Sequence, residues 1–141
     1  MADYYTKFSV ILPLPDEAAQ TYALDLAGKA SRALMQDGPS DTLPDSIQDM
    51  IEVWNFETVA DNRDGKWGIW LNGEQGGVDA ACAFIQHLLQ KFIPQGRVEF
   101  EWSNDCSKPR VDAYGGGAVI ITARKIKSMS TTEWLRRHAV R

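Results

Sequence analysis

Cys106, His87 and Asp112 are the residue types of a thiol nucleophile, its base and a group that orients the base. Lys108 and Arg110 stand close after Cys106, and such cations favour the thiolate. No local signature of a cysteine enzyme surrounds the three residues. The same stretch suggests a second chemistry. Lys108 and Arg110 flank Pro109, and Gly115, Gly116 and Gly117 then run into an apolar segment. Glycine-rich backbone can turn its N–H groups toward an anion, and the two cations would complete the neutralisation. The segment is not a P-loop, because its lysine precedes the glycines and no helix follows them. The plainer reading is a wide hairpin loop whose glycines allow close backbone approach. Glu99 and Glu101 share a strand face about 7 Å apart, a pair that suits acid–base work only inside a cleft. Cys82 and Cys106 form no C-x-x-C pair, and neither His87 nor His138 lies at zinc spacing from them. No metal and no cofactor is expected.

The tryptophans point to binding instead of catalysis. There are five in 141 residues. Trp54, Trp67 and Trp70 fall on one expected hairpin, and Trp102 on another strand. Core packing explains most of them, and an exposed pair would mark a protein interface, where aromatic anchors concentrate. Charge is unevenly spread. The net charge is −4 with a pI near 5.1, which argues against a general nucleic-acid binder. Residues 37–64 carry 8 acids and 1 base, and residues 124–141 carry 6 bases and 1 acid. Such poles can steer a charged partner, or can simply be solvated. A phosphate-mimicking role for the acidic stretch and nucleic-acid contact by the basic one are lesser readings. No basic and apolar leader opens the chain and no apolar run is long enough to span a bilayer, so a cytoplasmic protein with free thiols and no membrane partner is expected.

These residues need a scaffold, and the hydrophobic pattern supplies one. Residues 7–14 alternate as a strand that Pro13 and Pro15 end. Asp16 is placed as an N-cap for a helix over 16–36, with alanines at helical spacing and a stop at Asp37-Gly38-Pro39-Ser40. A polar loop with one helical turn near 44–49 leads to a strand over 51–59, a turn at 61–65 and a returning strand over 66–71. A second helix covers 77–93, with Cys82 on its apolar stripe and His87 at its polar edge. Residues 97–102 alternate as a half-buried strand, 103–116 form a polar loop, and 117–123 read as the last strand. Ser130 and Glu133 frame a capping box for a short helix over 131–138.

The C-terminal half also carries a resemblance. Phe100-Glu101-Trp102, Cys106-Ser107-Lys108-Pro109-Arg110, Gly115-Gly116-Gly117-Ala118 and Thr132-Glu133-Trp134-Leu135, with Phe84-Ile85-Gln86-His87 in the second helix, resemble a family of small bacterial proteins carried on plasmids, integrative elements and prophages. The resemblance spans about residues 67–136. It brings no known activity or assigned site, and implies a mobile-element setting in which small proteins often act by binding another protein.

The elements together predict a single α+β domain. A ferredoxin-like β-α-β-β-α-β core, extended by one strand and a short helix, gives an antiparallel sheet of about five strands with both main helices on one face. The reverse face is expected to show some of Trp54, Phe56, Trp67, Trp70, Phe100 and Trp102. The function expected is a non-catalytic binding module acting on a protein partner or on itself, with Lys108 and Arg110 at the rim. The alternative is a small enzyme or ligand-binding domain using the Cys106–Gly117 loop on an anionic substrate.

Overall fold

Strict alternation builds the first strand. In β1 (Tyr4–Leu14), Phe8, Val10, Leu12 and Leu14 are buried, while Lys7, Ser9, Ile11 and Pro13 are exposed. The structure is a computed structural model that describes residues 2–36 and 42–139. The expected helix stop at residues 37–40 lies outside the described residues.

Helix α1 (Glu17–Met35) starts where its cap requires. The Ala19 amide donates to Asp16 Oδ1 at 2.9 Å. Ala19, Ala23, Ala27, Ala30 and Ala33 form its buried face, so its backbone can lie close to the sheet. One polar residue is buried with them. Gln20 Nε2 donates to the Gly68 carbonyl at 2.8 Å and to Asn62 Oδ1 at 2.9 Å, which satisfies its amide.

The segment that follows corrects an expectation. Residues 51–59 are not one strand. After α2 (Asp45–Gln48), Ile51–Val53 form a 3-10 turn and β2 begins only at Glu57 (Glu57–Asp61). The reason is the spacing of the buried residues. Ile51, Trp54 and Phe56 all enter the core, and steps of three and then two residues cannot lie on one face of a strand. Arg63–Gly65 make the turn, with Asp64 and Gly65 both at positive φ. Strand β3 (Trp67–Gly73) returns, and α3 (Val78–Phe92) buries Ala81, Cys82, Phe84, Ile85, Leu88 and Leu89.

The C-terminal part holds more strand than expected. Strand β4 (Arg97–Cys106) continues four residues further, because Trp102–Cys106 pair with Tyr4–Phe8 of β1. The loop is therefore 107–114, and β5 (Gly115–Thr122) already contains the three glycines. A sixth strand, β6 (Ile126–Ser130), pairs with β5 before α4 (Thr131–Arg137).

The sheet has six strands, not five, in the order β2-β3-β1-β4-β5-β6, with every neighbouring pair antiparallel. Core residues on its strands share one face: Leu12, Ile69, Leu71, Val98, Phe100, Val119 and Ile121. Helix α1 lies over β1, β2 and β3, and α3 over β1, β4 and β5. Both long helices thus cover the same face.

Candidate functional site

The reverse of the sheet carries the alternate residues of each strand. Val59 pairs with Trp70, and Trp70 with Ile11, so these three side chains stand side by side across β2, β3 and β1. They are 44%, 41% and 40% exposed and form one contiguous apolar row. Trp70 is anchored by its indole Nε1, which donates to Ser9 Oγ of β1 at 2.7 Å. Beyond them, β4 presents Arg97, Glu99 and Glu101, with Arg97 Nε donating to Glu99 at 2.7 Å. Between β4 and β5 lies a shallow depression of about 420 Å³, lined in part by Glu99, Glu101, Ala118 and Ile120. Met129 of β6 pairs with Ala118 and is 41% exposed. The face is therefore apolar across β2, β3 and β1, with a seam of mixed charge beyond it in which Arg97 and Lys127 stand beside Glu99 and Glu101.

Only one of the four expected interface tryptophans is there. Trp54 is 3% exposed, packed in the core against Phe56 at 4.9 Å and Phe84 at 5.5 Å between ring centroids. Trp67 shares the parity of Ile69 and Leu71 and faces the helices at the end of β3, half-buried. Trp102 shares the parity of Val98 and Phe100, and its ring lies over Gly117 of β5. Trp70 alone is on the open face. Ile11 and Val59 were the residues that sequence reasoning missed. The strict alternation of β1 already marked Ile11 as outward; Val59 was hidden by the assumed strand from residue 51.

The Cys106–Gly117 loop does not assemble a reactive set. His87 projects from α3 to Tyr22 of α1, whose hydroxyl oxygen is 2.8 Å from its Nε2. Cys106 ends β4 opposite Tyr4, and Asp112 is exposed in the loop at φ 62. Among the described residues no hydrogen bond joins any two of the three. Lys108 and Arg110 are exposed. The Tyr114 hydroxyl donates to the Lys108 carbonyl at 3.1 Å and the Arg110 amide to the same oxygen at 2.8 Å, so the loop folds on itself. Gly115, Gly116 and Gly117 pair with Asn104, Ser103 and Trp102, and the Gly116 amide donates to Thr131 Oγ1 at 3.1 Å. Their small size admits the Trp102 ring and lets the strands approach. Among the described residues no group of three or more His, Cys, Asp or Glu is placed to hold a metal.

Burial perturbs three titratable groups of the helix layer, and it raises the Tyr22 hydroxyl above its usual range against an opposing effect of Lys29. Burial pushes the Cys82 thiol up to about 12, with Asp79 adding to the effect, so it is inert core. Burial, with Lys91 nearby, holds the His87 imidazole below its usual 6.5. Lys91 itself lies over the Tyr22 ring at 4.7 Å. The folded chain thus binds the His87 proton less readily than the unfolded chain does. Its contribution to stability should be intact above about pH 6.5 and decline as pH falls from there through the lower folded value. Urea midpoints compared at neutral and mildly acidic pH should show this decline in the wild type and less of it in His87→Gln.

The chain matches no protein-family model, and no curated protein and no solved structure matches it.

Proposed function

We propose that this chain is a protein-binding module of mobile-element origin, working in the cytoplasm, that docks its partner on the reverse of its sheet. The observation that carries the reading is the row Val59, Trp70 and Ile11, exposed and contiguous on the face away from both long helices. A pinned aromatic ring flanked by aliphatic side chains is the usual centre of a binding hot spot. Glu57, Glu99 and Glu101 provide a polar rim on the same face. The free thiols Cys82 and Cys106 agree with a reducing compartment. The strand order β2-β3-β1-β4, with one helix after β1 and one after β3, supports a ferredoxin-like core extended by β5, β6 and α4. The resemblance of residues 67–136 to proteins of plasmids and prophages supports the setting.

A photo-crosslinking residue placed at Trp70 in living cells tests the reading. A covalent adduct with a protein is expected from that position, and none from the same residue placed at Met35, which is exposed at the end of α1. Adducts from neither position, or equally from both, would remove the open face as the docking surface.

A further inference from the structure

Strand β2 is one of the two edges of the sheet. Its inner side pairs with β3 over Glu57–Asp61, and among the described residues no backbone bond leaves its outer side. Such an edge is a row of unpaired N–H and C=O groups, a template for another strand. The opposite edge, β6, is blunted by Lys127 and runs directly into α4. Beside β2 the fold leaves room. A groove of about 440 Å³ lies between it and α1, walled by Leu24, Ala27, Gly28 and Ser31 on one side and by Thr58 on the other. Thr58 Oγ1 is shut off from solvent and has no hydrogen-bond partner among the described residues. A buried hydroxyl in that state is costly until something bonds it.

The side chains of β2 define what an added strand must carry. Val59 pairs with Trp70 and stands on the open face, while Thr58 pairs with buried Leu71 and faces the helices. A strand laid along β2 alternates between the same two sides. Its residue beside Val59 would extend the row Val59, Trp70 and Ile11, so an aliphatic side chain fits there. Two positions away it meets Glu57, which takes part in no ion pair among the described residues. Glu57 also lines an adjoining depression with Glu74, and no Lys or Arg lines it. A cationic side chain fits that position. The residue between the two points into the groove, where Ala27 and Gly28 leave space for a small side chain and Thr58 Oγ1 can bond a hydroxyl. Arg32 stands beside Gly28 on the α1 wall, which disfavours a cation on that side. At the other end Asp61 is already held by Arg63. A second copy does not fit: full-length pairing of two β2 strands about Val59 sets Glu57 opposite Asp61 twice, and like charges directly opposite are destabilising. We infer that β2 takes on an extended segment of the partner as a further strand, with an aliphatic residue beside Val59, a Lys or Arg beside Glu57, and a Ser or Thr between them over Gly28. In either direction of the segment the basic and aliphatic residues lie two apart. This deepens the docking reading given above and rests on it, because the added strand continues the open face.

A library of random heptapeptides displayed on phage and selected on the full chain tests this. The peptides recovered should share a Lys or Arg two positions from a Val, Ile or Leu, with a small hydroxyl residue between. Each is then remade with single backbone N-methyl groups. Methylation at every second residue should weaken binding about tenfold, and methylation at the residues between should leave it unchanged, because only alternate amides of an added strand face β2. Gly28→Leu fills the groove and should weaken binding to the same extent. A side chain there meets only the mobile end of Arg32 and suits a helix better than glycine does, so circular dichroism should report an intact fold. Glu57→Lys, at an exposed position, should recover peptides with Asp or Glu where the wild type selects Lys or Arg. A library that yields no binder, or binders indifferent to which amide is methylated, overturns the inference. So do Gly28→Leu and Glu57→Lys proteins that select and bind the same peptides as the wild type. If the inference fails in any of these ways while the Trp70 crosslinker still captures a protein, the strand addition is wrong and the docking face stands.

Discussion

Phe84→Ala should lower folding stability by about 3–5 kcal/mol, as loss of a fully buried aromatic ring does when its site cannot collapse. Phe84 is 0% exposed. Its ring meets Trp54 edge-on at 5.5 Å and Phe56 at 6.2 Å, and Phe56 in turn meets Phe8 at 6.1 Å. The phenyl group therefore ties α3 to the irregular segment before β2 and, through it, to the central strand. Those three rings are fixed by the elements that carry them, so the space would stay largely empty. A loss of this size is a large share of the 5–15 kcal/mol that a domain has in total. Urea unfolding should show a much lower midpoint with little change in slope. A loss under about 1 kcal/mol would mean that the helix layer does not depend on this cluster.

Gly117→Ala should be strongly destabilising for a change of a single methyl group. A Cβ there would fall on the Trp102 ring and on the Met129 carbonyl oxygen. The ring can turn away, but the carbonyl belongs to the β5–β6 ladder, where Gly117 pairs with Ser130. Overpacking of this kind costs about 1–3 kcal/mol, and more when backbone must move. The loss should come with a red shift and broadening of tryptophan emission as Trp102 leaves its seat. Trp102→Ala in the Gly117→Ala background should recover only the part due to the ring. An unchanged emission spectrum with full stability would show that the strand accommodates the methyl group and that the glycine is not there for closeness.

The parts of the fold that followed from local pattern were legible. Alternation set β1, a cap residue with an alanine face set α1, and a three-and-four spacing set α3. The uncovered face was legible as well, because both helices follow strands that an antiparallel sheet places side by side. What failed were the places where tertiary packing overrides the local rhythm. Ile51, Trp54 and Phe56 look like strand residues by type, yet they turn into the core at unequal steps, which shifts β2 and moves Val59 onto the open face. The pairing of Trp102–Cys106 with Tyr4–Phe8 joins residues about a hundred positions apart, and no window of sequence shows that. Strand β6 is short, its residues are mostly exposed, and only its ladder with β5 holds it. The Lys108, Arg110 and glycine stretch had an unusual composition, but its glycines sit in the sheet where bulky neighbours need room. For the candidate site, Trp70 was legible from hairpin parity. Trp54 and Trp102 were not separable from it by residue type, since burial depends on which side of the strand a ring leaves.

The central position of β1 bears on how this chain is made. It is synthesised first, yet its two neighbours arrive much later: β3 follows α1 and β2, and the Thr6 hydroxyl finds its acceptor on Asn104, 98 residues downstream. Until β3 and α3 have been made, Val10, Leu12 and Leu14 lack their neighbours, and the Tyr4–Phe8 end waits longer still, for Trp102–Cys106. The central strand is thus completed only by segments made long after it, a slow topology that keeps apolar strand residues unpaired in the meantime.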